Sequence, residues 1–382
     1  MFERHQGGDA AVLVSLDFGH GGYEESLEEM NLLARSARVA VLATVGGRRQ
    51  KPDPALYAGR GKVEEIHQAV EDTGSNVVLF NHAISPVQER NLERELGCRV
   101  VDRTSLILDI FALRAKSHEG KVQVELAQLQ HLATRLTRGW THLERQRGGV
   151  GLRGPGETQL ETDRRLLADR VKLLKSRLEK LHRQRMVQRR ARVRSDVLSV
   201  SLVGYTNAGK STLFNALTHA GTYAADQLFA TLDTTTRRLY LPDAGNITLS
   251  DTVGFIRDLP HALVAAFRAT LEETIHADLL LHVVDAAAPL RDQQVAQVNT
   301  VLAEIGAADV PQVIVHNKVD LAGSGPGVDR DEYGTISRVR LSARTGAGLQ
   351  GLREALVEIA AKPSVTSELT LDDPRWNAYV SQ

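Results

Sequence analysis

The chain has 382 residues, and its 47 Lys+Arg balance 47 Asp+Glu, so the formal net charge is zero. That length predicts two or three domains, and the charge balance excludes a globally basic nucleic-acid binder; any basic surface must be local. A single cysteine, Cys98, excludes a disulfide framework or a cysteine-built zinc site and suits a reducing compartment.

No apolar run approaches the roughly 20 residues that span a bilayer. The start, Met1-Phe2-Glu3-Arg4-His5-Gln6, is polar and lacks an apolar signal core. The expectation is a cytoplasmic protein with no stable membrane insertion. Residues 1–112 carry strand-like runs at 11–17, 39–44, 76–80 and 98–101, with helical runs at 26–36, 61–72 and 86–96. Strands alternating with helices predict a small parallel α/β domain. Tyr57-Ala58-Gly59-Arg60-Gly61-Lys62 looks like a phosphate loop, yet no strand immediately precedes it, and Pro52 and Pro54 interrupt the approach. A tight turn capping a helix fits it better. Asn81-His82 follows a strand end, where α/β proteins often place ligand contacts. Loop capping is the better reading of that lone pair.

Residues 113–196 change character. Val122, Leu126, Leu129, Ala133, Leu136 and Trp140 recur in alternating steps of four and three, and Leu167, Val171, Leu174, Leu178 and Leu181 repeat the rhythm. Such seams predict two long antiparallel helices. Between them, residues 148–157 (GGVGLRGPGE) hold too much glycine and proline to continue a helix, so a loop at the tip of the hairpin is expected. Arg135, Arg138, Arg145 and Arg147 lead into the loop, Arg153 sits in it, and Arg164 and Arg165 leave it. Guanidinium binds phosphate bidentately, so Arg153, Arg164 and Arg165 are candidate contacts to a nucleic-acid backbone. The other reading is a solvated coiled-coil face, since Glu125, Glu144, Glu157, Glu161, Asp163 and Glu179 dilute the charge.

Residues 197–362 read as a doubly wound α/β sheet. Strands are expected at 198–203, 237–241, 246–250, 279–285, 312–316 and 338–341, and helices at 210–219, 261–276, 291–305 and 348–361. Ligands then belong at the carboxyl ends of the strands. Gly204-Tyr205-Thr206-Asn207-Ala208-Gly209-Lys210-Ser211 reads G-x-x-x-x-G-K-S, with a strand before it and a helix from Thr212 after it. This is a nucleoside-triphosphate loop. Its backbone N–H groups and the new helix dipole face the phosphates, Lys210 bridges β- and γ-oxygens, and Ser211 binds Mg²⁺.

Two further motifs follow strands in the order the chemistry needs. Asp251-Thr252-Val253-Gly254 reads D-x-x-G: the acid holds Mg²⁺, usually through water, and the Gly254 N–H senses the γ-phosphate. Asn317-Lys318-Val319-Asp320 reads N-K-x-D. Two acceptor oxygens on Asp320 match the N1–H and N2–H₂ donors of guanine, which adenine lacks, so the motif selects GTP. Asn317 ties the motif to the phosphate loop, the Lys318 stem stacks on the base, and a backbone N–H at Ser342-Ala343 meets guanine O6. A switch loop is expected at 226–236, with Phe229 and Ala230 near the nucleotide and Thr231 as the ligand to Mg²⁺ and γ-phosphate. Thr234 and Thr235 are rivals for that role, and a plain polar turn is the bland alternative. Lys210, Thr231 and Gly254 are the expected catalytic group.

Phe255 stands where small signalling GTPases place a water-orienting glutamine. A phenyl ring cannot orient water, so slow turnover that a partner accelerates is expected. Asn207 occupies a position that, in some GTPases, accompanies a K⁺ ion near the phosphates; it is equally a residue tolerated in a strained turn.

The chain resembles the HflX family of ribosome-associated GTPases from about residue 11 to 361. The specific part is residues 148–165 (GGVGLRGPGETQLETDRR), with Tyr205-Thr206-Asn207 and Leu228-Phe229-Ala230-Thr231-Leu232-Asp233 behind it. Asn81-His82-Ala83-Ile84-Ser85-Pro86 and residues 59–66 (GRGKVEEI) also look like that family. The resemblance implies GTP-dependent binding to the large ribosomal subunit and its rRNA, a glycine tip reaching towards the peptidyl-transferase region, and dissociation of stalled ribosomes, often under stress. Thr234 departs from the family's usual proline. Residues 363–382 read as a short polar tail where some members carry a further domain. Two rivals remain open: an NTP-driven RNA-remodelling enzyme, and a GTP-sensing adaptor with little hydrolysis.

Overall fold

The computed structural model describes residues 9–19, 21–135, 159–193, 197–218, 228–257 and 271–361. The chain divides into two compact units. The first comprises Met1–Val187, Ala225–Asp233 and Arg257–Ala269, and the second Gln188–Ala224, Thr234–Ile256 and Thr270–Gln382.

In the first unit, strands β1 (Ala10–Asp17), β2 (Ala40–Arg48), β3 (Val77–Phe80) and β4 (Arg99–Asp102) form one parallel sheet in the order β2-β1-β3-β4. Val12, Leu13 and Val14 of β1 are fully buried. A continuous apolar run suits a strand covered on both faces. Helices α1 (Tyr23–Ser36), α2 (Arg60–Thr73) and α3 (Pro86–Leu96) connect the strands. Their ends are written locally. Glu24 and Glu25 sit in the first turn of α1 and Arg35 in its last, matching the helix dipole. A capping box between Ser85 and Gln88 opens α3, and Gly97 closes it with φ 66°.

Two features depart from the pattern read in the sequence. Strand β2 continues past residue 44 to Arg48, because β1 still offers it partners as far as Asp17. Helix α4 (Arg103–Arg114) was not separated by its periodicity. Leu106, Ile107, Leu108, Ile110 and Phe111 are all buried, so no polar stripe marks a face.

Asn81 caps rather than waits for a ligand. Its Nδ2 donates to Ser15 Oγ (3.1 Å) and to Ser26 Oγ (3.0 Å), and its Oδ1 accepts from Arg103 Nη1 (3.0 Å). His82 Nε2 accepts the Leu16 N–H at 3.0 Å, so Nε2 is the unprotonated nitrogen. Gly59 is the N-cap residue of α2, in agreement with a capping turn there.

Helix α5 (His118–Arg135) packs against the helix Gln159–Val193. Val122, Leu126 and Leu174 are buried at this contact, with Leu129, Val171 and Leu178 beside them. Arg170 Nε donates to Glu125 Oε1 at 2.8 Å across the seam. At the end of α5, Arg135 pairs with Asp102 (2.6 Å) and Glu89, tying the helix to the end of β4. Leu136, Trp140, the glycine-rich stretch 148–157, and Arg138, Arg145, Arg147 and Arg153 lie outside the described residues.

In the second unit, strands β5 (Ser199–Val203), β6 (Thr235–Leu241), β7 (Gly245–Asp251), β8 (Leu279–Asp285), β9 (Gln312–Asn317), β10 (Gly327–Arg330) and β11 (Ile336–Arg340) form one sheet, ordered β10-β11-β9-β8-β5-β7-β6. Its interior pairs are parallel, and the edge strands β6 and β10 pair antiparallel. Strand β10 was not expected: four residues, two of them charged, carry no strand signal of their own, and β11 recruits them. Of the helix expected at 261–276, residues 271–276 lie among the described residues, and Glu272–Ile275 are helical. No described helix is long and apolar enough to cross a membrane.

Candidate functional site

The site gathers at the carboxyl ends of β5, β7 and β9. Helix Lys210–Thr218 follows the loop after β5 and buries Leu213, Phe214 and Leu217 completely. Each such side chain stabilises by about 1.5–3 kcal/mol relative to exposure, which fixes the helix start where the loop needs it. Asn207 sits in the loop at φ 61°, a left-handed conformation that asparagine tolerates better than most residues.

Lys210 is buried and curls back onto the loop, donating to Tyr205 O (2.8 Å) and Gly204 O (3.1 Å). Burial lowers its ammonium from 10.5 to about 8, against a smaller opposing pull from Asp251. Ser211 Oγ donates to Asp251 Oδ2 at 2.7 Å, so the hydroxyl of the first motif and the acid of the second meet directly. Thr252 is fully buried and donates to Leu202 O at 2.6 Å, clamping the second motif to β5.

Gly254 closes the approach. A Cβ there would lie 2.8 Å from both Lys210 Nζ and Thr206 Cγ2, so no larger residue fits without moving the lysine. Phe255 is buried, its N–H donates to Gly204 O (3.2 Å), and its carbonyl accepts from Thr206 N (2.7 Å). Its ring is part of the core and its backbone braces the phosphate loop. Beneath, His282 of β8 is buried and neutral, its imidazole pushed down to about 4 chiefly by burial.

Asn317 links three motifs. Its Nδ2 donates to Ala208 O (2.9 Å), and its Oδ1 accepts the Ala343 N–H (2.9 Å). The phosphate loop, the N-K-x-D turn and the Ser342-Ala343 turn therefore share one buried amide. Lys318 takes φ 62°, and its ammonium reaches Asp285 at 2.8 Å. Asp320 lies in the first turn of the short helix Val319–Ala322 and is exposed.

Phe229, Ala230 and Thr231 belong to the first unit, whereas the phosphate loop and the other three motifs belong to the second. Within the first unit the segment is held at three points. Leu228 N donates to Ser36 Oγ (3.0 Å), and Phe229 packs edge-on against Phe111 with ring centroids 4.7 Å apart. Asp233 Oδ2 accepts the Lys116 and Ser117 N–H groups (both 2.8 Å), and its Oδ1 accepts the Ser117 hydroxyl (2.5 Å). Since the Phe229 ring is spent on Phe111, any nucleotide contact from this residue is left to its backbone. Arg257 is held in the same unit: its Nη1 donates to Gly22 O and its carbonyl accepts from Arg103 Nη2, both at 3.1 Å.

Sequence reasoning missed Asp233 and Asp285, which lie outside the motifs and find partners remote in the chain, Ser117 for Asp233 and Lys318 for Asp285. At Asp233, three donors immediately ahead of α5 converge on one carboxylate, and the carboxylate occupies the space a Cβ would need at Gly120. Asp233→Ala is expected to destabilise the first unit by about 1–2 kcal/mol, as loss of a helix-capping acceptor does. Urea melts of the two proteins decide it: an unchanged midpoint would show that the capping bonds carry no weight.

Arg164 and Arg165 are exposed near the start of the helix Gln159–Val193, while Arg153 lies outside the described residues. Among the described residues, no cluster of His, Cys, Asp and Glu has the makings of a metal site built by those side chains alone.

A phosphate loop on a largely parallel sheet, with D-x-x-G and N-K-x-D turns at neighbouring strand ends, defines a P-loop GTPase. The comparisons with known proteins narrow that class. Three family models match consecutive stretches: "GTP-binding GTPase N-terminal" over residues 24–112, "GTP-binding GTPase Middle Region" over 114–192, and "50S ribosome-binding GTPase" over 199–318. GTPase HflX of Escherichia coli strain K12 is 59% identical over 359 residues, covering 94% of this chain and 84% of the relative. GTPase HflX of Magnetococcus marinus is 48% identical over 384 residues, covering 99% of this chain and 89% of the relative. A solved structure of SsGBP in complex with GDP aligns with TM-score 0.52 and 26% identity, over 94% of this chain and 100% of that one. The chain belongs to the HflX GTPase family, and it is a GTPase.

Proposed function

We propose that this GTPase binds the large ribosomal subunit in its GTP form, separates or rescues stalled ribosomes, and leaves on hydrolysis. The observation that carries the nucleotide half is Asn317, whose amide bonds to Ala208 O and Ala343 N join phosphate loop, base motif and last turn into one pocket. In this reading Gly204 to Thr212 hold the phosphates, Lys210 neutralises the β- and γ-oxygens, and Gly254 N–H meets the γ-phosphate. Asn317, Lys318, Asp320, Ser342 and Ala343 hold guanine.

Ser211 and Asp251 present hard oxygen donors 2.7 Å apart, a set that fits Mg²⁺: Ser211 and Thr231 would hold the ion directly and Asp251 through water. When bound, that ion neutralises charge developing on the phosphates. Phe255 offers no hydrogen bond to water from its buried ring, so the protein alone turns over slowly. Its partner would supply the missing stabilisation, or Asn207 would hold a K⁺ ion whose charge would do so.

The ribosome half rests on the family description of residues 199–318 and on the exposed Arg164 and Arg165. Residues 113–196 form an antiparallel hairpin in this reading. Its glycine-rich end, with Arg153, meets rRNA phosphates and bases in a crevice of the subunit. The fold then has four parts: 1–112, the hairpin 113–196, the doubly wound nucleotide domain 197–362 and the tail 363–382. A ribosomal partner places the protein in the cytoplasm.

The test is GTP turnover in K⁺ buffer, alone and with purified large ribosomal subunits, beside an Arg153→Ala, Arg164→Ala, Arg165→Ala variant. Subunits are expected to raise the parent's turnover at least tenfold, with most of the stimulation lost in the variant at unchanged basal rate. Turnover indifferent to subunits would sink the ribosome half and leave the GTPase standing.

A further inference from the structure

Asp285 lies outside every nucleotide motif, yet its carboxylate is committed on both sides. Oδ1 accepts the Ala287 N–H at 3.0 Å, an Asx turn that fixes the orientation of the group. Oδ2 then receives Lys318 Nζ at 2.8 Å. The turn itself is fastened to the base motif, because Ala286 N donates to Asn317 O at 2.9 Å. The pair spans from the end of β8 to the end of β9, and both side chains are about three-quarters shielded, with relative exposures of 26% for Lys318 and 22% for Asp285.

Lys318 has an unusual combination of constraints. Its backbone is left-handed at φ 62°, and its carbonyl accepts the Leu321 N–H at 2.9 Å. Its ammonium is pinned by Asp285. A lysine held at both ends can present only its methylenes. An untethered lysine would instead keep its full rotamer freedom, and a flat ring docking on the stem would have to freeze it.

We propose that Asp285 is a positioning residue for guanine: it holds the Lys318 ammonium so that the aliphatic stem stands as a preformed wall for the base. This rests on the assignment of Lys318 and Asp320 to the base site. Asp285 touches no nucleotide in this scheme and acts only through Lys318. Its contribution is preorganisation, which appears in affinity rather than in chemistry.

Asp285→Asn tests it with little risk to folding. The amide oxygen still accepts from Ala287 N–H and the shape is kept, while the group facing Lys318 changes from a charged acceptor to an NH₂ donor, which cuts the tether. Calorimetric titration of the full chain with GDP is expected to show affinity roughly tenfold weaker. The KM for GTP should rise by a similar factor while kcat at saturation stays unchanged. Lys318→Met removes the same tether from its other end and should weaken GDP to the same degree. The double variant should be no weaker than either single one, since both substitutions cut one link. A merely structural role would instead lower the melting temperature of the nucleotide-free protein and leave the GDP affinity of the folded protein unchanged. Unchanged GDP affinity in Asp285→Asn, or additive losses in the double variant, would overturn the inference. Asp320→Asn separates the two levels. If it loses guanine affinity while Asp285→Asn does not, only this inference fails; if it too binds GDP like the parent, the base-site assignment fails and takes the inference with it.

Discussion

Replacing Lys210 with Ala is expected to abolish GTP turnover, by at least about 10²–10³-fold, the scale on which removing a single preorganised transition-state donor acts. The expectation follows from where the ammonium sits. It is buried against Gly204 O and Tyr205 O, with no bulk water to replace it and no second described lysine or arginine on the loop. Phosphate release under single-turnover conditions measures it, and undiminished release would sink the site assignment. Unfolding is not the expected cause of the loss. Burial already lowers this lysine to about 8, so its charge is a burden on the nucleotide-free fold. The folded value lies below the ordinary 10.5, so between about 8 and 10.5 the unfolded chain binds more protons. Stability therefore rises with pH across that window, and below it the folded state carries the full cost of the buried cation. An anionic triphosphate favours the cation, so nucleotide affinity should fall as pH climbs past 8. Titrations of the parent at pH 7 and pH 9 would show it, and the Lys210→Ala protein should lack the effect.

Asp320→Asn is expected to weaken GTP and GDP by roughly a hundredfold, the penalty for losing charge-assisted hydrogen bonds at a site built to make them. A carboxylate accepts from both N1–H and N2–H₂ of guanine; an amide offers one acceptor and turns a donor towards the other position. Xanthine carries a carbonyl where guanine carries its amino group, so the same substitution should improve XTP as it harms GTP. Competition between the two nucleotides for one binding site is the measurement. Equal losses for both bases would place Asp320 outside the base pocket. Asp320 is exposed, so the substitution should leave the melting temperature of the nucleotide-free protein nearly unchanged.

The motif residues were legible because their chemistry is local. Gly204 to Ser211, Asp251 to Gly254 and Asn317 to Asp320 each need fixed residue types at fixed short spacings, and each ends a strand whose apolar run is visible. Helix Arg291–Ile305 and strand Leu279–Asp285 were read with their observed limits for the same reason: one shows a helical period, the other an unbroken apolar run. What escaped was set by partners far along the chain. Strand β2 runs to Arg48 only because Asp17 lies beside it. Strand β10 exists only because β11 offers an edge. The carboxylate of Asp233 finds Ser117, 116 residues away, and no spacing rule connects them. Phe229 reads as a switch-loop residue in sequence, and only the fold shows its ring against Phe111.

The docking of residues 228–233 in the first unit bears on how this protein can be taken apart. The chain passes from one unit to the other five times, at 187/188, 224/225, 233/234, 256/257 and 269/270. No single cut yields two intact pieces. A fragment starting at residue 197 would carry every phosphate- and guanine-facing motif, and would also carry Leu228, Phe229 and Leu232, each 2% exposed in the whole protein, away from Ser36, Phe111 and Ser117. Three apolar side chains would then be stranded in water on the very loop expected to grip the γ-phosphate. Rates measured on such a fragment would describe a loop without its mooring, and the intact chain is the proper reference for its enzymology.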